Sequence, residues 1–270
     1  MGKERIEAAF ARAAAAGRAA FVPYITAGDP SLDWTGRYLD RLAEAGADLV
    51  ELGVPFSDPV ADGPVNQRSA ERALAAKTTL AGVLDLVGHK RAAGFSLPLV
   101  VFTYANPVAA FGWQAFARRA ADAGVDAALV VDLPVEEAGE HRAACASAGL
   151  AAVFLAAPTT DDARLAAAVA ASSGFLYCVA RLGVTGAATS LAAGLTADMA
   201  RFKRAAGKLP VAVGFGVTTP EQAAAAARLA DGVIVGSALV RLLEGKDPEA
   251  NGKALGDAAA ALAAALERRC

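Results

Sequence analysis

Residues 121–132 read ADAGVDAALVVD: an alanine-rich stretch of helical character, Gly124, an aspartate, then an uninterrupted apolar run. A glycine just past a helix can take the left-handed conformation that closes the last turn. A continuous Ala/Leu/Val run, without polar alternation, suits a parallel strand covered on both faces. The phrase therefore predicts helix, turn and buried parallel strand, in that order.

The phrase recurs in AAAAGRAAFVPYI (13–25), AEAGADLVELG (43–53), RAAGFSLPLVVF (91–102), ASAGLAAVFLA (146–156), ASSGFLYCVA (171–180), RAAGKLPVAVGFG (204–216) and LADGVIVGS (229–237). Its glycines are Gly17, Gly46, Gly94, Gly124, Gly149, Gly174, Gly207 and Gly232. Strands alternating with helices imply right-handed βαβ units. Eight such units in 270 residues match the (β/α)8 TIM barrel in number and size. An open doubly wound sheet also alternates, but even spacing and the lack of a GxGxxG turn after the first strand favour the barrel. The expectation is one α/β domain over 1–270, with residues 1–17 as an extra N-terminal helix capping the bottom and 18–270 as the barrel.

Composition sets the function classes. The chain is 55% hydrophobic and 20% charged, with a net charge of -2, so there is no basic footprint for nucleic acid or an anionic membrane. Cys145, Cys178 and Cys270 are odd in number and far apart, which argues against a disulfide framework. His89 and His141 have no Cys or His at ligand spacing, so no metal site is expected, and both read as surface helix residues. No apolar run approaches the ~18 residues of a membrane span, and the N-terminus lacks a signal-peptide core. A cytoplasmic protein is expected.

Spacing points to the site. Gly46 and Gly94 are 48 residues apart, whereas the other gaps run from 25 to 33. The surplus follows the second strand, and long βα loops of a barrel lie at the face where active sites are built. That stretch, VELGVPFSDPVADGPVN (50–66), puts Glu51 among Val50, Leu52 and Val54, and Asp58 and Asp62 on the loop behind. An unpaired carboxylate in a core is costly. Glu51 is therefore either a satisfied ion-pair member or a catalytic acid/base at the strand's C-terminal end.

ELGVPFSDPVADGPVNQ (51–67) resembles the strand-2 and loop-2 signature of the tryptophan synthase alpha chain family. The resemblance continues through FVPYITAGDP (21–30), FTYANP (102–107), VVDLPVEE (130–137), APTT (157–160), RLGVTG (181–186), VGFGV (213–217) and IVGSALV (234–240), in barrel order. It implies cleavage of indole-3-glycerol phosphate to indole and glyceraldehyde 3-phosphate, with no cofactor or metal in this subunit. It also implies a partner, a pyridoxal-phosphate-dependent beta chain, in an assembly of two alpha and two beta chains. A free-standing lyase, or a non-catalytic barrel that only activates a beta chain, stays open as an alternative.

The resemblance assigns the general acid/base to Glu51 and the indole N–H to Asp62, although ADGP is also good turn chemistry. It makes Asp58, with Thr185, a loop-closure and communication pair; an N-cap or turn role for Asp58 is nearly as good a reading. Gly214, Gly216, Gly236 and Ser237, on the loops after the last two strands, suit a phosphate nest, and the family adds Gly186. An apolar slot for the indole is expected from Tyr24, Phe102, Tyr104, Leu129 and Tyr177, each of which could equally be barrel filling. Asp132 is expected to hydrogen-bond around the site. The lid that follows Gly186 has Ala187, Ala188, Thr189 and Ser190 where some members carry an arginine.

Overall fold

Strands and helices alternate along the chain and close into a barrel. A computed structural model describes residues 2–179, 188–214 and 216–267, the side chains of 188–193 excepted. Helix α1 (Gly2–Ala15) precedes β1 (Ala20–Thr26) and α2 (Leu32–Glu44). Two helices, α3 (Pro64–Ala75) and α4 (Leu80–Ala92), follow β2 (Val50–Gly53), and two more, α5 (Ala105–Phe111) and α6 (Trp113–Ala123), follow β3 (Leu99–Thr103). Next come β4 (Ala127–Val130), α7 (Gly139–Ala148), β5 (Ala151–Val153), β6 (Leu155–Ala156), α8 (Asp162–Ala171), β7 (Leu176–Val179) and α9 (Ala188–Ala206). The chain continues through β8 (Val211–Gly214), α10 (Pro220–Ala227), β9 (Gly232–Val235), α11 (Ser237–Leu242) and α12 (Pro248–Ala264).

The sheet order is β5-β4-β3-β2-β1-β9-β8-β7-β6, and every pairing is parallel. The two ends of that order, β5 and β6, are separated in the chain only by Phe154. The Tyr177 N–H donates to the Phe154 carbonyl at 3.0 Å, so the sheet closes on itself. This is the expected TIM barrel, with its fifth strand split at Phe154; the sixth, seventh and eighth predicted strands are β7, β8 and β9.

Side chains alternate between two apolar environments, which is why the strands read as continuous apolar runs. Phe21, Val50, Leu52, Leu99 and Val101 join the layer between strands and helices. Ala20, Val22, Leu49, Val100 and Leu129 fill the barrel interior. Helix α1 adds Ile6, Phe10 and Ala13 to that interior, with Phe10 and Phe175 rings 5.5 Å apart. Each buried Val, Leu, Ile or Phe side chain among them contributes about 1.5–3 kcal/mol.

Seven of the eight phrase glycines, Gly17 to Gly207, have φ between 60° and 94°. At Gly124 the amide closes α6 onto Ala120 and Ala121. Gly232 differs: it opens β9, and a side chain there would collide with the Phe10 ring. The aspartates of the phrase have a structural task. Asp48 accepts the Phe21 N–H at 2.8 Å and pairs with Arg18 at 2.5 Å. Asp126 accepts the Leu99 N–H at 2.8 Å and pairs with Arg5 and Arg91 at 2.5 and 2.7 Å. Asp231 accepts the Val211 N–H at 3.0 Å and pairs with Lys203 at 2.8 Å.

His141 departs from its surface reading. It is 2% exposed on α7, edge-on to Trp113 and Phe154 and beside Cys145, and burial pushes its pKa down to about 4. Among the described residues no helix is long and apolar enough to cross a membrane, and no group of three or more His, Cys, Asp or Glu is placed to hold a metal.

Candidate active site

Glu51 is the second residue of β2, not its last, because the strand continues in register with β1 and β3 as far as Gly53. Its neighbours Val50 and Leu52 face the helices, so alternation turns Glu51 inward. It is 1% exposed, borders a cavity at the strand ends, and neither carboxylate oxygen has a hydrogen-bond partner among the described residues. Burial alone pushes its pKa up to about 8, so the carboxyl is largely protonated at neutral pH.

Asp62 approaches the same cavity from the loop after β2, just ahead of Gly63 and Pro64 at the start of α3. That helix is tied to the β1 loop by Asp29, 1% exposed, which accepts from Ser69 at 2.5 Å and from Arg72 at 2.8 and 2.6 Å. Tyr104 donates to Asp62 Oδ2 at 2.6 Å, and Asn66 Nδ2 donates to Oδ1 at 3.3 Å. Burial raises the Asp62 pKa, and the two hydrogen bonds oppose that rise. Asp62 is thus held as the more readily ionised of two inward carboxyls, Glu51 as the more readily protonated.

Aromatic and apolar groups make the middle of the wall: Tyr24, Phe102, Val131, Leu155, Tyr177 and Ile234. Tyr24 meets Phe102 edge-on at 5.4 Å. Gly53 and Gly214 leave room for the Tyr24 and Tyr177 hydroxyls, which lie where their side chains would be. Gly216, Gly236, Ser237 and Arg241 also line the cavity, and Arg241 is the only cation bordering it among the described residues.

A barrel cavity that combines two inward carboxyls, an aromatic and apolar wall, small residues and a cation fits an aromatic substrate with an anionic tail. Comparisons with known proteins decide between enzyme families. The sequence profile of the tryptophan synthase alpha chain family matches residues 10–267. The chain belongs to the tryptophan synthase alpha chain family. A curated alpha chain from Phenylobacterium zucineum is 52% identical over 89% of this chain and 86% of its own length. One from Rhizorhabdus wittichii is 49% identical over 98% and 97%. An alpha-subunit crystal structure from Legionella pneumophila superposes with TM-score 0.89 at 37% identity, covering 98% of this chain and 99% of its own. The tryptophan synthase structure from Mycobacterium tuberculosis gives 0.86 at 38%, with the same coverage. The tryptophan synthase alpha chain family is a lyase family that cleaves indole-3-glycerol phosphate in tryptophan biosynthesis.

Within this alpha-chain barrel, Glu51, Asp62, Tyr24, Phe102, Tyr177, Gly216, Gly236 and Ser237 come together around one cavity. Three residues expected in the indole slot or phosphate nest do not border it. Leu129 is fully buried in the barrel interior, where strand tilt brings Val131, two residues further on, to the wall instead. Gly214 lies beneath the Tyr177 hydroxyl. Tyr104 stands behind Asp62 and reaches the site through its hydroxyl. Asp58 is exposed outside the cavity, accepting from Ser57 at 2.9 Å. Asp132, on the loop after β4, accepts the Ala105 N–H at 2.7 Å, next to Tyr104. Thr185, Gly186 and Ala187 lie outside the described residues, as do the side chains of Ala188, Thr189 and Ser190.

Asn66 and Arg241 are not singled out by the sequence. Only Arg241 carries a weak signal, four residues after Ser237, the spacing that puts helical side chains on one face.

Proposed function

We propose that this alpha chain cleaves indole-3-glycerol phosphate with Glu51 as alternating general acid and base and Asp62 as counter-charge to the indole nitrogen. The observation that carries the reading is the pair of buried Glu51 oxygens, without a partner among the described residues, in a cavity shared with Asp62. A protonated Glu51 donates its proton to indole C3. Positive charge then develops at the ring nitrogen, whose N–H points to the Asp62 carboxylate. The Glu51 carboxylate left behind takes the proton of the side-chain hydroxyl on the carbon attached to C3. That carbon becomes the aldehyde as the C3–carbon bond breaks, and the bonding pair returns to the ring, giving neutral indole. Protons balance: Glu51 gives one, regains one and is ready again.

At the anionic end, Gly216, Gly236 and Ser237 offer closely approachable backbone and a hydroxyl, and Arg241 supplies charge. Gly186 is assigned to the same end by the resemblance alone. Asp58 and Thr185 are assigned to loop closure and to communication with a beta chain. That partner, carrying pyridoxal phosphate, would take up the indole in a heterotetramer of two alpha and two beta chains in the cytoplasm; this subunit's steps use no cofactor of its own.

The test is indole release by the purified chain, alone and with a beta chain added. Slow release alone and strong stimulation by the partner support the subunit reading. Fast release alone points to a free-standing lyase, and none under either condition overturns the roles of Glu51 and Asp62.

A further inference from the structure

We infer that Asn66 is a positioning residue of this reaction, fixing the Asp62 carboxylate and offering its own amide oxygen to a hydrogen-bond donor of the bound substrate. The inference rests on the role proposed for Asp62. Asn66 sits in the first turn of α3 and borders the same cavity. Its Nδ2 donates to Asp62 Oδ1 at 3.3 Å, while Tyr104 holds Oδ2 at 2.6 Å. Two donors on two oxygens fix the plane of the carboxylate and leave lone pairs for a further donor.

The orientation of the Asn66 amide follows from chemistry. An ionised carboxylate only accepts, so the amide nitrogen must face Asp62 and the carbonyl must face elsewhere. That carbonyl oxygen, Oδ1, is buried with no hydrogen-bond partner among the described residues. Buried polar atoms are normally paired, and an orphan at a functional cavity calls for a donor. The substrate brings three: the indole N–H and two hydroxyls of the glycerol chain. Asp62, being charged, is the stronger acceptor for the N–H as that group becomes cationic. A chain hydroxyl is then the donor left for Asn66. Helix α3 is rigid enough for the task because Ser69 and Arg72, on its following turns, are anchored to Asp29.

The test compares Asn66→Leu, which keeps the volume and removes both polar groups, with Asn66→Asp, which keeps the shape and sets a like charge beside Asp62. Wild type and Asp62→Asn run alongside. Removing the amide withdraws a hydrogen bond that favours ionised Asp62, so the acidic limb of the kcat/KM profile moves to higher pH. The expected result is a tenfold or greater fall in kcat/KM near that limb for Asn66→Leu, and a larger shift of the limb for Asn66→Asp. A limb that stays in place in both variants overturns the inference, whether activity is unchanged or falls uniformly with loss of folded protein by circular dichroism. If wild type cleaves, Asp62→Asn does not, and Asn66→Leu matches wild type, only this inference fails. If wild type does not cleave, the functional reading fails and the inference with it.

Discussion

The Tyr104 hydroxyl donates to Asp62 Oδ2 across 2.6 Å and accepts the Ala61 N–H at 3.2 Å, tying the loop after β2 to the start of α5. A hydrogen bond to a charged group is worth about 1.5–3 kcal/mol, or about tenfold to a hundredfold in an equilibrium. Tyr104→Phe keeps the ring against Phe56, 5.2 Å away, and removes only the hydroxyl. The expected outcome is a fall in kcat of that order. The bond lowers the Asp62 pKa, so its loss moves the acidic limb of the rate profile upward. Steady-state kinetics between about pH 5 and 9 check both, and an unchanged limb would show that the bond does not tune Asp62.

Glu51→Gln removes the proton that the reaction passes back and forth, so cleavage is expected to vanish with the fold intact. The same variant has a stability signature whose sign is unusual for a glutamate. The Glu51 pKa rises from an ordinary 4.5 to about 8 in the folded chain. Between those values the folded state holds a proton that the unfolded state has released, so wild-type stability falls as pH rises through that window. Below it, both states are protonated and the loss is absent. Glutamine does not titrate. The Glu51→Gln variant should therefore gain on wild type from about pH 5 to pH 8, by an amount on the order of a few kcal/mol. Urea midpoints at about pH 5, 6.5 and 8 measure the gap, and a gap that does not widen would mean Glu51 is not buried as a neutral acid.

The barrel was legible because parallel strands covered on both faces leave uninterrupted apolar runs, and because helix-closing glycines mark each return. Glu51 was legible as a charge within such a run. Asp62 was legible only through the family resemblance, since ADGP satisfies a turn equally well. What was lost depends on distance and depth. Tyr104 read as an aromatic wall residue, yet its hydroxyl serves a partner 42 residues earlier. Leu129 was placed on the correct face but one layer too deep, because barrel stagger is set by neighbouring strands and not by local pattern. Asp126 drew no reading of its own from the sequence, because one of its cations, Arg5, is 121 residues away.

Asp126 carries the next prediction. Fully buried, it accepts the Leu99 N–H and holds both Arg5 and Arg91, joining α1 and α4 to the start of β3. Removing one member of a buried ion pair leaves an uncompensated charge and typically costs about 3–5 kcal/mol. Asp126→Ala should lower the urea midpoint accordingly. The cavity is lined by none of these residues, so cleavage by the variant should persist under conditions where it remains folded. A stability loss below about 1 kcal/mol would mean that water replaces Asp126 around the two arginines.

Arg241 tests the anionic end. It lies one turn beyond Ser237 on α11 and, among the described residues, brings the only positive charge to a cavity that also holds two carboxyls. A phosphate dianion entering that cavity without a cation would meet unfavourable charge at Glu51 or Asp62 whenever either is ionised. Arg241→Met keeps much of the side chain's apolar reach and removes the guanidinium. Its contacts are equal in ground and transition states, since the phosphate takes no part in bond breaking, so KM should rise about tenfold with kcat little changed. Competitive inhibition by glycerol 3-phosphate should weaken in parallel, while inhibition by indole stays as it was. Equal weakening of both inhibitors would place Arg241 in the general architecture of the cavity, and no change in either would remove it from the phosphate end.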